Sequence, residues 1–136
     1  MGLEFGEEEY AIIDAYCKEK NIDWFGSAWD MKSIEFLDKF DLKYHKIASY
    51  EISHLRLIEF IAKTGKPTFI STGGATKEEI RWALEKFSAN KGGKITLLQT
   101  TAKYPAPIKS LNLKAMFDLR GEFKEFGIDV LFSELI

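Results

Sequence analysis

Cysteine, histidine and proline are all scarce in this chain. The lone cysteine, Cys17, excludes an internal disulfide and a cysteine-cluster zinc site. Two histidines, His45 and His54, are too few for a histidine-rich metal centre. No apolar run approaches the ~20 residues of a membrane-spanning helix. The acidic start, Met1 to Tyr10, has no signal-peptide pattern, so a cytoplasmic protein with no membrane partner is expected. Net charge is −2, from 19 basic and 21 acidic residues, which leaves no basic field to draw nucleic acid. Neither GxGxxG nor GxxxxGK[ST] occurs, so nucleotide binding has no support. What remains is ordinary: 136 residues, 46% hydrophobic and 29% charged. A single domain of this size buries roughly two-thirds of its unfolded surface.

Apolar periodicity alternates between helix and strand. Glu7 to Glu19 reads as an amphipathic helix with Tyr10, Ile13 and Cys17 near helical spacing, Cys17 as a small buried side chain. Asp23–Ser27 reads as a strand, and Asp30 as the cap of a helix from Met31 to Phe40. Tyr44–Ala48 is a second strand, and Ser53 starts a helix ending near Gly65. Pro67–Ser71 is a third strand, and Thr76 with Glu79 forms a capping box for a helix to about Phe87. Gly92-Gly93 precedes a fourth strand, Lys94–Gln99. Asn112 caps a helix to about Glu125, Gly127 ends it, and Ile128–Phe132 is a fifth strand. Short apolar strands separated by helices predict an α/β fold with parallel pairing and right-handed crossovers. The pitch suits either a doubly wound sheet or a piece of a (β/α)8 barrel, since a whole barrel takes ~250 residues.

Polar residues gather where these strands end: Ser27 and Asp30, Lys46 and Ser49, Ser71 and Thr72, Thr100 and Thr101 with Tyr104, Ser133 and Glu134. Parallel α/β folds bind ligands at that edge. Hydroxyls and backbone N–H groups there can hold a phosphate or carboxylate, or can simply cap the next helix. Lys46 lies inside an apolar strand, so it either meets an anion or reaches water from a sheet edge. His45 and His54 read as structural or exposed. Trp24, Trp29 and Trp82 read as packing residues, with Trp29 placed to line a pocket.

Four motifs stand in order: Phe25-Gly-Ser-Ala-Trp-Asp30 with Phe36-Leu37; Tyr44-His-Lys-Ile-Ala-Ser49; Ala62-Lys-Thr-Gly-Lys-Pro-Thr-Phe-Ile-Ser-Thr-Gly73; and Leu97-Leu-Gln-Thr-Thr-Ala-Lys-Tyr-Pro-Ala-Pro107 with Leu111-Asn-Leu113. Over about residues 5 to 134 the chain resembles the sialic acid synthase family, which includes N-acetylneuraminate, legionaminate and pseudaminate synthases. The resemblance implies a partial TIM barrel of about five βα units, family strands three to seven, in one truncated catalytic domain. It also implies that the first two strands, the eighth and the C-terminal antifreeze-like domain are absent. The implied reaction condenses phosphoenolpyruvate with an N-acylated hexosamine, as the open-chain aldehyde, to a nine-carbon 3-deoxy keto acid. A divalent metal, Mn or Mg, is the implied cofactor.

By the same resemblance, Ser27, Lys46, Ser49, Ser71 and Ser133 would bind phosphoenolpyruvate and Tyr104 would face the sugar. The chain departs from the family pattern at Gln99 and Thr100, where histidine and cysteine are usual, and at Ala102, where asparagine is. Leu135 stands where the family has a metal-binding histidine, so no metal ligand is assigned. Turnover by the chain alone is therefore not expected. The alternatives are a non-catalytic partial barrel that serves assembly or small-anion binding, and a gene fragment without function. Cut sheet edges also predict self-association or a complementing chain.

Overall fold

The computed structural model describes residues 5–133. Helix α1 (Glu7–Glu19) has three glutamates in its first turn and Lys18 in its last, the charge placement that suits a helix dipole. Helix α2 (Met31–Asp38) starts at Asp30 as expected, whose carboxylate accepts the Ser33 N–H at 2.7 Å. Strand β1 (His45–Ile47) leads through a 3-10 turn, Ser49–Ser53, into α3 (Leu55–Lys63). This helix starts two residues later than the expected Ser53, and its cap is His54: Nδ1 of the imidazole accepts the Leu57 N–H at 3.1 Å. Strand β2 (Thr68–Ser71) is followed by α4 (Lys77–Ala89). The Thr76–Glu79 box closes in both directions, with the Thr76 N–H on the Glu79 carboxylate at 2.7 Å and the Glu79 N–H on Thr76 Oγ1 at 3.2 Å.

Strand β3 (Ile95–Gln99), α5 (Ala115–Glu122) and β4 (Asp129–Phe132) complete the order. The expected Asn112 side-chain cap is absent. Asn112 is left-handed at φ 47°, and its carbonyl, not its side chain, accepts the Ala115 N–H at 2.9 Å. Gly127 turns the chain back at φ 62°, a conformation that a Cβ disfavours. Among the described residues no helix is long and apolar enough to cross a membrane.

The four strands pair in parallel in the order β1-β2-β3-β4. Register follows the alternation of side chains. Ile47, Ile70, Leu97 and Val130 are partners across the sheet, and all are at most 1% exposed. They join Leu57, Ile58, Leu84, Phe87 and Phe123 of the helical layer in one core. Burying each such side chain stabilises by about 1.5–3 kcal/mol. The neighbouring row, Lys46, Phe69, Thr96 and Asp129, lies on the opposite face. There burial is incomplete, and Leu131 is 51% exposed. Among the described residues, helices cover one face of this sheet and leave the other open.

The expected strand at Asp23–Ser27 is reduced to one parallel bridge, Ser27 to Lys46. Side chains hold this segment instead of a ladder. Trp24 Nε1 donates to Asp14 at 3.0 Å and its ring packs on Tyr10 and Phe40. Phe25 stacks on Phe69 with centroids 5.3 Å apart, on the open face of the sheet. Cys17 is half-buried rather than buried, because α1 contributes no buried residue.

His45 is on the helix-facing side of β1 and 3% exposed, and its Nε2 has no hydrogen-bond partner. Burial first, then the nearby Lys66 charge, depress its pKa below 6.5. The unfolded chain therefore takes up the proton first, and the stability present above that value is lost as pH falls through the lower, folded one. Thermal unfolding followed from about pH 8 to about pH 5.5 will show a falling midpoint, and His45→Phe will flatten that slope. An unchanged slope in the variant would assign the effect to other groups.

Candidate functional site

A cavity of about 540 Å³ opens at the C-terminal ends of the strands. The six residues that the resemblance assigned to substrate all line it: Ser27, Lys46, Ser49, Ser71, Tyr104 and Ser133. The fold accounts for each placement. The isolated bridge sets Ser27 beside Lys46. Lys46 is in β1 on the open face, Ser49 is in the turn after it, and Ser71 ends β2. Ser133 follows β4, its N–H bound to the Gln99 carbonyl at 3.1 Å. Tyr104 comes from the loop after β3 and is 68% exposed.

Lys46 dominates the electrostatics. Its Nζ donates to Ser71 Oγ at 2.6 Å. Among the described residues no carboxylate lies within ion-pair distance of it. Burial lowers its pKa, with no anion to offset the penalty. Ser71 spends a lone pair on the ammonium, so its own proton is free to be donated elsewhere. Ammonium and hydroxyl together form a charge-assisted donor pair, the chemistry that holds a carboxylate or phosphate.

A second set of hydroxyls adjoins the first. Ser49 Oγ accepts the Gly73 N–H at 3.0 Å and lies 3.2 Å from Thr100 Oγ1. A Cβ on Gly73 would come within 2.7 Å of Thr100 Oγ1 and 3.1 Å of Ser49 Oγ, so only glycine allows this approach. Trp29, 61% exposed, lines the cavity, as its place after Ser27 suggested. Phe25 and Tyr50 also line it. Phe25 shares the Ser27 face by the period of two, a signal present in the sequence, whereas nothing there marks Tyr50.

Other polar residues at the strand ends serve the backbone. The hydroxyl of Thr72 donates to the Leu98 carbonyl at 3.0 Å. That of Thr101 donates to the Ser110 carbonyl at 3.2 Å, although Thr101 touches the cavity. Asp30 is occupied as a helix cap. Gln99 turns its amide toward the Leu111 carbonyl at 3.4 Å and away from the cavity. Glu51, two residues past Ser49, is buried at 5% exposure and was not singled out in the sequence. Glu134 and Leu135 lie outside the described residues.

Among the described residues the donor set does not fit a divalent cation. Those that line the cavity bring hydroxyls, one ammonium and aromatic rings, and none of them is a carboxylate or an imidazole. Among the described residues no cluster of three or more His, Cys, Asp or Glu could hold a metal.

Comparison with known proteins agrees with this architecture. The N,N'-diacetyllegionaminic acid synthase of Campylobacter jejuni is 37% identical over 134 residues, which are 97% of this chain and 39% of that protein. A pseudaminic acid synthase of Campylobacter jejuni is 38% identical over 122 residues, 89% of this chain and 36% of its own length. The crystal structure of an N-acetylneuraminic acid (sialic acid) synthetase from Leptospira borgpetersenii, in complex with citrate, superposes with a TM-score of 0.88 at 27% identity. It covers 96% of this chain and 45% of that one. The fold is thus a partial TIM barrel, and the chain spans less than half the length of these relatives. The NeuB family model matches residues 1–134, essentially end to end, and the chain belongs to the NeuB family.

Proposed function

We propose that this chain forms the anion-binding part of a sugar-acid synthase site, where phosphoenolpyruvate meets an N-acylated hexosamine on the way to a nine-carbon 3-deoxy keto acid. The observation behind this reading is the half-buried Lys46 ammonium, free of carboxylates among the described residues and bonded to Ser71 in a ring of hydroxyls. Lys46 supplies the charge for the phosphate or carboxylate of phosphoenolpyruvate. Ser27, Ser49, Ser71 and Ser133 supply neutral donors that fix its orientation. Tyr104, an exposed residue of the cavity lining, faces the sugar. Which amino sugar is taken depends on that part of the lining.

No step is assigned to a metal, because the described residues do not fit one. The same observation favours a second reading, in which the chain binds the anion but does not turn it over by itself. Calorimetry with phosphoenolpyruvate, paired with a phosphate-release assay containing N-acetylmannosamine with and without manganese, separates the two. The expected result is binding of phosphoenolpyruvate and no phosphate above background. Release that disappears in Lys46→Ala would establish autonomous catalysis. An absence of phosphoenolpyruvate binding would refute both readings.

A further inference from the structure

Thr100 is the first residue past β3, and its hydroxyl approaches Ser49 Oγ to 3.2 Å across 51 positions of sequence. A serine hydroxyl has one proton and two lone pairs. The Gly73 N–H occupies one lone pair of Ser49 at 3.0 Å, and a backbone donor cannot reverse. The Thr100–Ser49 bond can run in two directions. If Ser49 donates, its only proton is spent on Thr100 and the cavity loses a donor. If Thr100 donates, both Ser49 lone pairs are filled and its proton is left for the cavity. An oxyanion beside Lys46 selects the second direction, since an anion accepts and cannot donate. The crowding around Gly73 holds the three segments in contact, because even one Cβ there would meet both hydroxyl oxygens.

We propose that Thr100 is a positioning residue that turns the Ser49 proton toward an oxyanion bound beside Lys46. The proposal rests on the anion-binding reading above. It also gives a role to the hydroxyl at position 100. A cysteine in that place would be a much weaker donor, so the hydroxyl is what makes the relay effective.

Phosphoenolpyruvate binding, measured by calorimetry on the full chain, tests it through Thr100→Val, Thr100→Ser and Thr100→Cys, each alone and with Ser49→Ala. Thr100→Val is expected to weaken binding roughly threefold to tenfold, as loss of one neutral hydrogen bond does. Thr100→Ser should restore affinity to about the wild-type level, with Thr100→Cys between the two. In the Ser49→Ala background none of the three should have a further effect. Equal losses with and without Ser49 would show a general packing role and overturn the proposal, as would wild-type affinity in Thr100→Val. If Thr100→Val does not fold, the Thr100→Ser and Thr100→Cys pair decides, and equal affinities there overturn it. Failure of the wild-type chain to bind phosphoenolpyruvate refutes the underlying reading instead.

Discussion

Replacing Lys46 with alanine should lower phosphoenolpyruvate affinity roughly 30- to 100-fold, the low end of the loss seen when one partner of a desolvated, hydrogen-bonded charge pair is removed. The lower end applies because Lys46 is half-buried and water still screens it. Lys46→Met separates charge from packing, since it keeps most of the stem volume. It should bind as poorly as alanine and fold at least as stably as the wild type. The reason is that burial lowers the pKa of Lys46, so the folded chain carries its charge at a cost. The same shift sets the pH dependence. Ammonium charge is lost at a lower pH than for an exposed lysine, so affinity declines as the solution becomes alkaline. The phosphate is already fully ionised there, with its second pKa near ~6, and cannot produce that decline. Lys46→Met should bind weakly with no alkaline fall. Wild-type affinity in Lys46→Ala, measured by calorimetry, would remove the lysine from the site.

The second large effect concerns assembly. All-parallel sheets are normally covered on both faces. Here the described sheet is covered on one, and β4 pairs only with β3. Its open face presents Phe25, 42% exposed, and Leu131, 51% exposed. The edge at β4 adds Phe132, 38% exposed. Unpaired edges next to apolar side chains recruit further strands. Sedimentation velocity at micromolar concentration should therefore show dimers or larger species. Leu131→Lys, which places a charge on the open face, should shift the distribution toward monomer. A wild-type monomer that unfolds cooperatively would show that the chain needs no second surface.

Strand positions and the caps at Asp30 and Thr76 were readable from residue order because both rest on short-range rules. Lys46 and Ser71 stood out as polar residues on apolar strands, but only the register shows that they share the face opposite Ile47 and Ile70. The Thr76–Glu79 spacing fixed a helix start to the residue. Asp23–Ser27 misled because Trp24 and Phe25 have strand-like character, yet each spends its side chain on a distant partner, Asp14 and Phe69. Helix α3 starts at Leu55 rather than at Ser53 because the turn after β1 runs as a 3-10 helix through Ser53, and His54 becomes the cap. Eight cavity residues could be gathered from strand ends, because parallel topology brings those ends together. The Ser49–Thr100 contact could not, since nothing local records a pairing across 51 positions.

Adjacent residues in the strands divide the work between them, and this bears on how such a site can evolve. Ile47 and Ile70 are locked into the helical core, while Lys46 and Ser71, one position away, face the cavity. A substitution on the cavity row leaves the core row in place, so ligand preference can drift without a matching loss of fold. A saturation mutagenesis scan with separate readouts for abundance and for ligand binding would register this as a beat of two. Positions 47, 70, 97 and 130 would be intolerant in the first readout, and 27, 46 and 71 sensitive mainly in the second. Relatives named for different acids, legionaminic and pseudaminic, would then differ in one register of their strands and agree in the other.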